Sequence, residues 1–379
     1  MSVCKKISSL LIAVILSCIF LSYPLKVSAL SVSASSAILI DAQSGKVLFE
    51  KNSQKTLSMA STTKIMTAVV AIESGSLERT VIISKESVGI EGSSIYLCEG
   101  EKLTLEQLLY ALMLSSANDA ATAIAIAVAG SEAAFSDMMN DTATKIGLTS
   151  THFDNPHGLD SENHYTTAYD LAKLTSYALK LPKFKAIVST YKHQIPLARK
   201  ENARLLVNHN KLLRSYEGII GVKTGYTKRS GRCLVSAAER NGLVLIAVTL
   251  NAPDDWKDHK SMLDYGFDNY ESVDLTVSEG VLTIPVVSGT KASVICSQQE
   301  NLSSLLPKDH GAIICKTELK RFTYAPVLRG EKVGQIIYFC DGEEIGRCDV
   351  IANHQVGLIH QKRTIWDTIL DFLKSKGLL

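Results

Sequence analysis

Two side chains at the beginning of a predicted helix are of the types that perform nucleophilic catalysis. Ser61 and Lys64 lie three positions apart within the segment 60–67, and residues i and i+3 share one face of a helix. A serine hydroxyl is a weak nucleophile until a neighbouring base takes its proton, and a lysine kept neutral by its surroundings can be that base. The pair therefore predicts a serine nucleophile with a lysine as proton acceptor.

The spacing of this pair is not specific by itself. It also occurs at Ser2 with Lys5, Ser189 with Lys192, and Ser288 with Lys291. Ser61 differs from these serines because Ser116-Ala117-Asn118 and then Lys223-Thr224-Gly225 follow it in order, and the second triplet occurs once in the chain.

This ordered trio of motifs is the one that serine penicillin-recognising enzymes carry. Five longer stretches extend the match: Gly92–Leu97, Tyr110–Ala120, Asn155–Leu159, His164–Ala168 and Gly221–Thr227. On these residues the chain resembles the D-alanyl-D-alanine carboxypeptidases, low-molecular-mass penicillin-binding proteins that trim peptidoglycan stem peptides. The resemblance extends from about Ser36 to Tyr270.

The resemblance implies both a fold and an activity. The expected fold is the α/β (α+β) penicillin-binding-protein/β-lactamase-like transpeptidase fold, followed by a small all-β domain and a terminal amphipathic helix. The expected activity is removal of the terminal D-alanine from peptidoglycan pentapeptide stems through an acyl-enzyme. β-Lactam antibiotics would acylate the same serine, and no cofactor is implied.

The resemblance also assigns catalytic roles. Ser61 would attack the carbonyl between the two D-alanines, with Lys64 as general base. Ser116 and Lys223 would pass the proton to the leaving amine, and Asn118 would hold the substrate amide.

The substrate-binding residues are expected along one strand. Gly221–Thr227 precedes two predicted strands, so Lys223, Thr224 and Gly225 should lie on or just before a sheet edge that pairs with the substrate backbone. Together with the backbone N–H of Tyr226, the N–H of Ser61 would bind the oxyanion.

The chain departs from the family at the expected carboxylate site. Several members have an arginine near the start of the last helix of the catalytic domain, where this chain has Asp254-Asp255-Trp256. This leaves the substrate carboxylate to Lys223 and Thr224, with Lys257 or Arg232 as weaker candidates.

Three other functions fit the sequence less well. A β-lactamase shares the trio, but no clear class A glutamate motif is present. A penicillin-binding sensor would acylate without turnover, and the intact Ser61, Lys64, Asn118 and Lys223 argue against it. A zinc peptidase would need more than His157, His164 and Asp170, since His-Glu-x-x-His is missing, and no metal site is predicted.

Residues 1–29 are predicted to be a secretory signal peptide. Lys5 and Lys6 precede an apolar stretch, Ile7–Leu21, and Val27-Ser28-Ala29 offers a small-residue cleavage site. A retained membrane helix or lipoprotein processing at Cys18 is less favoured. The enzyme is therefore expected to be exported and to act outside the cytoplasm.

Composition argues against nucleic acid as a partner but does not determine the disulfide state of the cysteines. The chain has 40 basic and 38 acidic residues, and this near balance gives no reason to expect nucleic acid as a partner. Six cysteines follow the signal segment, none in a Cys-x-x-Cys pair. A disulfide between Cys340 and Cys348 and free buried thiols are both compatible with the sequence.

Local patterns predict the elements that position the motifs. Residues 37–52 are predicted to form a hairpin. Thr104 and Gln107 are predicted to form a capping box, and residues 132–146 are predicted to form a helix that ends at Gly147. Asp119 is expected to cap a helix buried on all sides, residues 120–129. Asn241-Gly242 predicts a tight turn between two strands.

The predicted domains are a catalytic domain at 30–272, a β-rich domain at 273–358 and a membrane-associating helix at 361–379. The helix places its large apolar residues on one face: Ile365, Trp366, Ile369, Phe372 and Leu373. This face and the basic residues towards both ends favour a helix lying in the outer surface of the cytoplasmic membrane. The alternative is a helix packed on its own β domain.

Overall fold

A computed structural model describes residues 30–197, 203–276, 282–359 and 365–377 of the chain. The predicted signal segment, 1–29, and the bases Lys362 and Arg363 lie outside these residues.

The helices and strands of the described residues follow one another along the chain. The α-helices are α1 (Lys64–Glu73), α2 (Leu105–Leu114), α3 (Asn118–Ala129), α4 (Glu132–Ile146), α5 (Ala168–Leu179), α6 (Pro182–Val188), α7 (Asp255–Asn269) and α8 (Ile365–Ser375). The strands before α7 are β1 (Ser36–Asp41), β2 (Val47–Lys51), β3 (Thr80–Ile82), β4 (Lys102–Thr104), β5 (Lys192–Pro196), β6 (Ala203–Val207), β7 (Ile219–Thr227), β8 (Gly231–Arg240) and β9 (Leu243–Leu250). The later strands are β10 (Tyr270–Asp274), β11 (Leu282–Val287), β12 (Ser293–Gln298), β13 (Ser303–Pro307), β14 (Ile313–Leu319), β15 (Thr323–Tyr324), β16 (Lys332–Cys340) and β17 (Glu343–Ala352).

A five-stranded antiparallel sheet in the order β2-β1-β9-β8-β7 supports the catalytic motifs. Every residue of β1 is buried because helices cover both faces of the sheet. Ile38 and Ile40 belong to the core formed with the helices between β2 and β7, whereas Leu39 lies against Gly266 of α7. The predicted hairpin of β1 and β2 is confirmed, and β7 is an edge strand, as expected.

Helix boundaries in the catalytic region follow local chemistry. The capping box predicted at the start of α2 is confirmed, because Thr104 Oγ1 accepts from the backbone N–H of Gln107 and the Gln107 side chain accepts from that of Thr104. Helix α4 has the predicted bounds and ends at Gly147, which takes the left-handed conformation at φ 78°. The tight turn at Asn241-Gly242 is also confirmed, with φ values of 49° and 79°.

One predicted helix cap is wrong. Helix α3 begins at Asn118, with Ala117 at the cap position and no side-chain cap, so Asp119 lies within the first turn. The burial predicted for this helix is only partly correct, because residues 118–125 are buried and the last turn is not.

After α7 the described chain is β-rich. Strands β10 and β13 pair with each other, and six further strands form a sheet in the order β14-β16-β17-β12-β11-β15. A separate apolar cluster that includes Ile284, Val294 and Ile336 fills this region. All six described cysteines, including Cys340 and Cys348, are free thiols.

Helix α8 is amphipathic, as predicted. Ile365, Trp366, Ile369 and Phe372 are all exposed, and the side chains of the bases Lys374 and Lys376 are exposed at its end. Among the described residues, no helix is long and apolar enough to cross a membrane.

Candidate active site

Ser61 lies in a single 3-10 turn, residues 60–63, that leads directly into α1. The turn is held by its own side chains, because the Thr62 hydroxyl donates to Met59 O at 2.6 Å and the Thr63 hydroxyl donates to Ala60 O at 2.8 Å. Ala60 has a positive φ of 46°, a conformation that costs energy for a residue with a Cβ. Backbone strain therefore accompanies the orientation of Ser61.

Lys64 is fully buried and contacts Ser61. Its Nζ lies 3.0 Å from Ser61 Oγ, 2.7 Å from Asn118 Oδ1 and 2.5 Å from the carbonyl oxygen of His157. Burial lowers the pKa of Lys64 well below its usual value, and the nearby Lys223 lowers it further, while Asp119 acts in the opposite direction. A neutral amine retains two N–H bonds, enough for Asn118 and His157, and its lone pair can then accept the proton of Ser61.

Lys223 forms a second buried contact between motifs. Its Nζ donates to Ser116 Oγ at 2.9 Å and to the carbonyl oxygen of Thr224 at 2.9 Å. Ser116 occupies the break between α2 and α3 with a positive φ of 57°. Burial lowers the pKa of Lys223 to about 7, so its amine exchanges protons near neutral pH.

Asn118 is held on both ends of its amide. Its Oδ1 accepts from Lys64, its Nδ2 donates to Glu91 O at 2.5 Å, and its backbone N–H donates to Ser93 O at 2.7 Å. The amide therefore positions Lys64, and one N–H of Nδ2 remains for another acceptor.

The sequence predicts Asp119 to be a helix cap, which is wrong. Its carboxylate instead anchors one wall of the site. It is completely buried and accepts from the Ser94 hydroxyl at 2.6 Å and from the backbone N–H groups of Ile95 and Leu97 at 3.2 and 3.0 Å. Because these donors lie on a loop with no regular structure, the buried carboxylate fixes that loop beside Asn118.

The edge strand β7 approaches the turn that carries Ser61. A Cβ added to Gly225 would lie 3.1 Å from Ser61 N and 3.1 Å from Ala60 Cβ, closer than most side-chain contacts. Glycine at this position therefore leaves the backbone N–H of Ser61 accessible, and Tyr226, the next residue, is exposed.

The loop 155–164 also contacts the turn that carries Ser61. His164 Nδ1 accepts from the backbone N–H of Asp154 at 3.0 Å, so its proton is on Nε2, which donates to Thr63 Oγ1 at 2.7 Å. Burial lowers the pKa of His164 to about 4 and that of His157 to about 3. Both rings are therefore neutral at pH 7.

Gly158, which sequence reasoning did not single out, allows this loop to reach the turn. Its φ is 88°, and an added Cβ would lie 2.0 Å from Ala60 O. Within the described parts of the chain, no group of three or more His, Cys, Asp and Glu side chains could hold a metal ion. His157 and His164 form hydrogen bonds within the protein: His157 Nδ1 accepts from the backbone N–H of Leu159 at 3.2 Å, and His164 bonds Thr63.

A cleft of about 340 Å³ opens beside Ser61. It is lined by residues of all three motifs and by further polar and aromatic side chains: Ser61, Ser93, Ser116, His209, Lys211, Thr224, Gly225, Tyr226, Arg232, Asp255 and Trp256. Arg232 donates from Nε and Nη2 to Asp255 Oδ1 at 3.0 and 2.8 Å. Arg232 and Lys257 are the two weaker candidates for binding the substrate carboxylate. Arg232 lines this cleft and Lys257 does not.

The structure thus brings the predicted residues together. Ser61, Lys64 and Asn118 form one connected group, Ser116 and Lys223 form another, and Thr224, Gly225 and Tyr226 line the same cleft. Buried amines with lowered pKa next to hydroxyls can deprotonate a nucleophile, so the arrangement can carry out acyl transfer.

Two family models match the chain. The model of the D-alanyl-D-alanine carboxypeptidases matches residues 24–254, and that of the penicillin-binding protein 5 C-terminal domain matches residues 270–357.

Individual relatives agree with these models. The chain is 34% identical over 360 residues to the D-alanyl-D-alanine carboxypeptidase DacF of Bacillus subtilis, covering 90% of this chain and 92% of the relative. It is 37% identical over 242 residues to a D-alanyl-D-alanine carboxypeptidase of a Streptomyces species, covering 59% of this chain and 83% of the relative.

A solved structure supports the same family assignment. Penicillin binding protein 5 from Haemophilus influenzae superposes with a TM-score of 0.71 at 27% identity, covering 86% of this chain and 98% of that one. The fold expected from the motifs is therefore confirmed, with a mixed α/β catalytic region and a β-rich C-terminal region. The chain belongs to the D-alanyl-D-alanine carboxypeptidase family of serine-type, penicillin-binding hydrolases.

Proposed function

We propose that the chain removes the terminal D-alanine from peptidoglycan pentapeptide stems through an acyl-enzyme on Ser61. One observation supports this most strongly: the fully buried Lys64 amine lies 3.0 Å from Ser61 Oγ. A desolvated amine beside a hydroxyl is the arrangement that general-base activation requires.

In the acylation step, neutral Lys64 takes the proton of Ser61 as Oγ attacks the carbonyl between the two D-alanines. The backbone N–H groups of Ser61 and Tyr226 bind the oxyanion that forms. Asn118 keeps Lys64 in place and offers its remaining N–H to the substrate amide.

Collapse of the tetrahedral intermediate requires a proton on the leaving amine. Ser116 and Lys223 are 2.9 Å apart, and the Lys223 pKa of about 7 suits an amine that both receives and releases a proton. The C–N bond breaks as D-alanine leaves with this proton. Water then attacks the ester carbonyl while a neutral amine takes one of its protons. The bond between the carbonyl carbon and Ser61 Oγ breaks, and the protonated amine returns the proton to Oγ, which regenerates Ser61.

The substrate carboxylate is assigned to Arg232 and Thr224. Lys223 is almost fully buried and is already bonded to Ser116, so a direct ion pair between it and the substrate would require rearrangement. Asp255 engages Nε and Nη2 of Arg232, which leaves Nη1 for a carboxylate.

Covalent labelling tests the nucleophile. Incubation with a labelled penicillin, digestion and peptide mapping should place the label on Ser61, and Ser61→Ala should abolish it. Ser189→Ala is the matched control, because Ser189 also precedes a lysine by three positions and should be dispensable. A label on Ser116 or Ser189 would contradict the assignment.

Turnover of a D-Ala-D-Ala peptide separates a carboxypeptidase from a sensor that acylates without release. Repeated release of free D-alanine per enzyme is expected. A single equivalent, followed by a stable acyl-enzyme, would favour the sensor, and fast hydrolysis of penicillin itself would favour a β-lactamase.

We also propose the organisation of the whole chain: a removed signal at 1–29, a catalytic domain at 30–272, a β domain at 273–358 and a membrane-associating helix at 361–379. The enzyme would be exported and peripheral on the outer face of the cytoplasmic membrane. The exposed apolar side chains of α8 support this, because burying each stabilises by roughly 1.5–3 kcal/mol at best.

Truncation after Gln361 tests the membrane helix. The shortened enzyme should move to the soluble fraction and keep its activity on a soluble peptide. Unfolding on truncation would indicate that α8 packs on the β domain. Retention on the membrane would indicate an uncleaved signal segment, and a mature N-terminus at Leu30 would rule that out.

A further inference from the structure

Six large apolar side chains are exposed at one edge of the six-stranded sheet in the C-terminal region. They are Val287, Phe322, Tyr324, Leu328, Leu358 and Ile359, with exposed fractions between 40% and 66%. We refer to this set as the apolar edge patch. Contiguous apolar surfaces of this kind mark contacts with a protein or a membrane.

Backbone pairing makes the patch contiguous. Strand β15 forms the edge of the sheet, and Tyr324 pairs with Val287 of β11. The ring of Phe322 lies 5.5 Å from that of Tyr324 in an edge-on arrangement. The Ile359 N–H donates to the carbonyl oxygen of Ser288, the residue after Val287, at 2.8 Å.

Positive charge predominates around the patch. The three segments that form it, residues 284–298, 319–330 and 351–359, contain no Asp or Glu. They carry four exposed bases: Lys291, Lys320, Arg321 and Arg329. None of these bases forms an ion pair with a described residue. Glu331, just beyond, has its carboxylate bonded to the backbone N–H of Leu328 at 3.1 Å.

The opposite edge of the same sheet has a different character. Strand β14 also exposes a large apolar residue, Ile314, but it carries the ion pair of Lys316 with Glu318 at 2.6 Å. Apolar side chains combined with unpaired bases are therefore a property of the β15 edge and not of every edge of this sheet.

The patch is also close to the terminal helix along the chain. Six peptide units separate Ile359 from Ile365, so the start of α8 lies within roughly 20 Å of the patch. Both surfaces combine exposed aromatic and aliphatic side chains with bases, a combination that suits the interface of an anionic bilayer.

We propose that the apolar edge patch is a second membrane contact, which places Phe322 and Leu328 among lipid headgroups and the four bases against lipid phosphates. The inference rests on the proposed peripheral membrane location and deepens it. A single helix fixes only where the chain is attached, whereas two contacts also fix the orientation of the β domain on the bilayer.

Vesicle binding of the full chain from Leu30 tests the apolar part. Phe322→Ser combined with Leu328→Ser should weaken co-sedimentation with phosphatidylcholine–phosphatidylglycerol vesicles by roughly tenfold or more. Ile314→Ser, on the opposite edge, is the matched control and should change binding less than twofold. The melting temperature and turnover of a soluble peptide should be unchanged in both, which shows that the fold is intact.

Charge reversal tests the basic part. Lys320→Glu combined with Arg321→Glu should weaken binding to vesicles that contain phosphatidylglycerol and have little effect on pure phosphatidylcholine vesicles. Lys308→Glu, on an exposed lysine beside β13, is the control. Equal losses for the two variants would indicate a general charge effect and overturn the assignment of the patch.

Trp366→Glu on α8 separates this inference from the proposed function. If only Trp366→Glu weakens binding, the helix is the anchor and the patch proposal is overturned. If the patch variants weaken binding and Trp366→Glu does not, the patch stands and the helix assignment fails. If the unaltered chain does not bind vesicles, both fail. A dimer in solution that Phe322→Ser dissociates would show that a second copy covers the patch, which also overturns the proposal.

Discussion

The catalytic centre and the β-rich region differ in the burial and pairing of their cationic side chains. In the centre, Lys64 and Lys223 are buried and their amines contact hydroxyl, amide and carbonyl oxygens but no carboxylate. In the β-rich region every described lysine and arginine is exposed, and three of them, Lys316, Lys332 and Arg347, are also paired with carboxylates, with side chains 48–64% exposed. Burying an unpaired cation costs stability, so such burial indicates a site where the neutral amine is needed.

The largest effect is expected at Lys64, the lysine that contacts the proposed nucleophile Ser61. Lys64→Arg preserves positive charge, but an arginine stays protonated at any working pH. Acylation by penicillin should fall by about 10²–10⁴-fold, the usual contribution of positioned proton transfer. Stopped-flow or quenched acylation kinetics would measure this, with Lys316→Arg in the β-rich region as the control. A near-normal rate for Lys64→Arg would show that the role of this lysine is electrostatic.

A smaller effect is expected from one methyl group. Gly225→Ala places a Cβ 3.1 Å from Ser61 N, next to the proposed oxyanion position. We expect acylation to slow by about 10²-fold, as when one oxyanion donor is lost, with little change in melting temperature.

Gly357→Ala is the matched control in the β-rich region. The nearest atoms to its added Cβ belong to Thr290, at 3.7 and 3.8 Å, an ordinary contact distance. Kinetics of this variant should match those of the unaltered chain. If Gly225→Ala were acylated as fast as the unaltered chain, the Ser61 N–H would not bind the oxyanion.

A third effect concerns the pH dependence of stability. The pKa of Lys223 is about 7 in the folded chain and 10.5 in its unperturbed state. Between these values the unfolded chain binds more protons, so the free energy of unfolding should rise with pH from about 7 to 10. Below pH 7 both states are protonated, and the folded state bears the full cost of the buried charge.

Lys223→Met should flatten this rise, although Lys64 contributes in the same direction. Lys316→Met, at an exposed and paired lysine, should leave the slope unchanged. Urea unfolding at a series of pH values measures both variants. An unaltered slope in Lys223→Met would mean that Lys223 is solvated in the folded enzyme.

Much of the site was predictable because its chemistry is local or ordered along the chain. Ser61 and Lys64 are neighbours on one turn, the capping box of Thr104 and Gln107 requires only three residues, and the order of the three motifs identified the family. These features depend on spacing, which a single sequence contains.

The remaining features depend on contacts across long separations. Asp119 has the short polar side chain of a helix cap, but its partners are donors 22–25 residues earlier in the chain, which no local pattern shows. The bond between Thr63 and His164 spans 101 residues. Arg232 lies on a strand and not on the helix where the family resemblance directed attention, so only the fold showed that it lines the cleft.

The position of β7 at the end of its sheet has a consequence for solubility. An edge strand of nine residues presents a row of backbone donors and acceptors that any extended chain can pair with, including the same strand of another copy. Lys228 and Arg229 follow the strand directly and are exposed, so parallel, in-register pairing of two such edges would bring like charges together. The charged end of β7 therefore disfavours one mode of self-association at the edge that would admit a peptide.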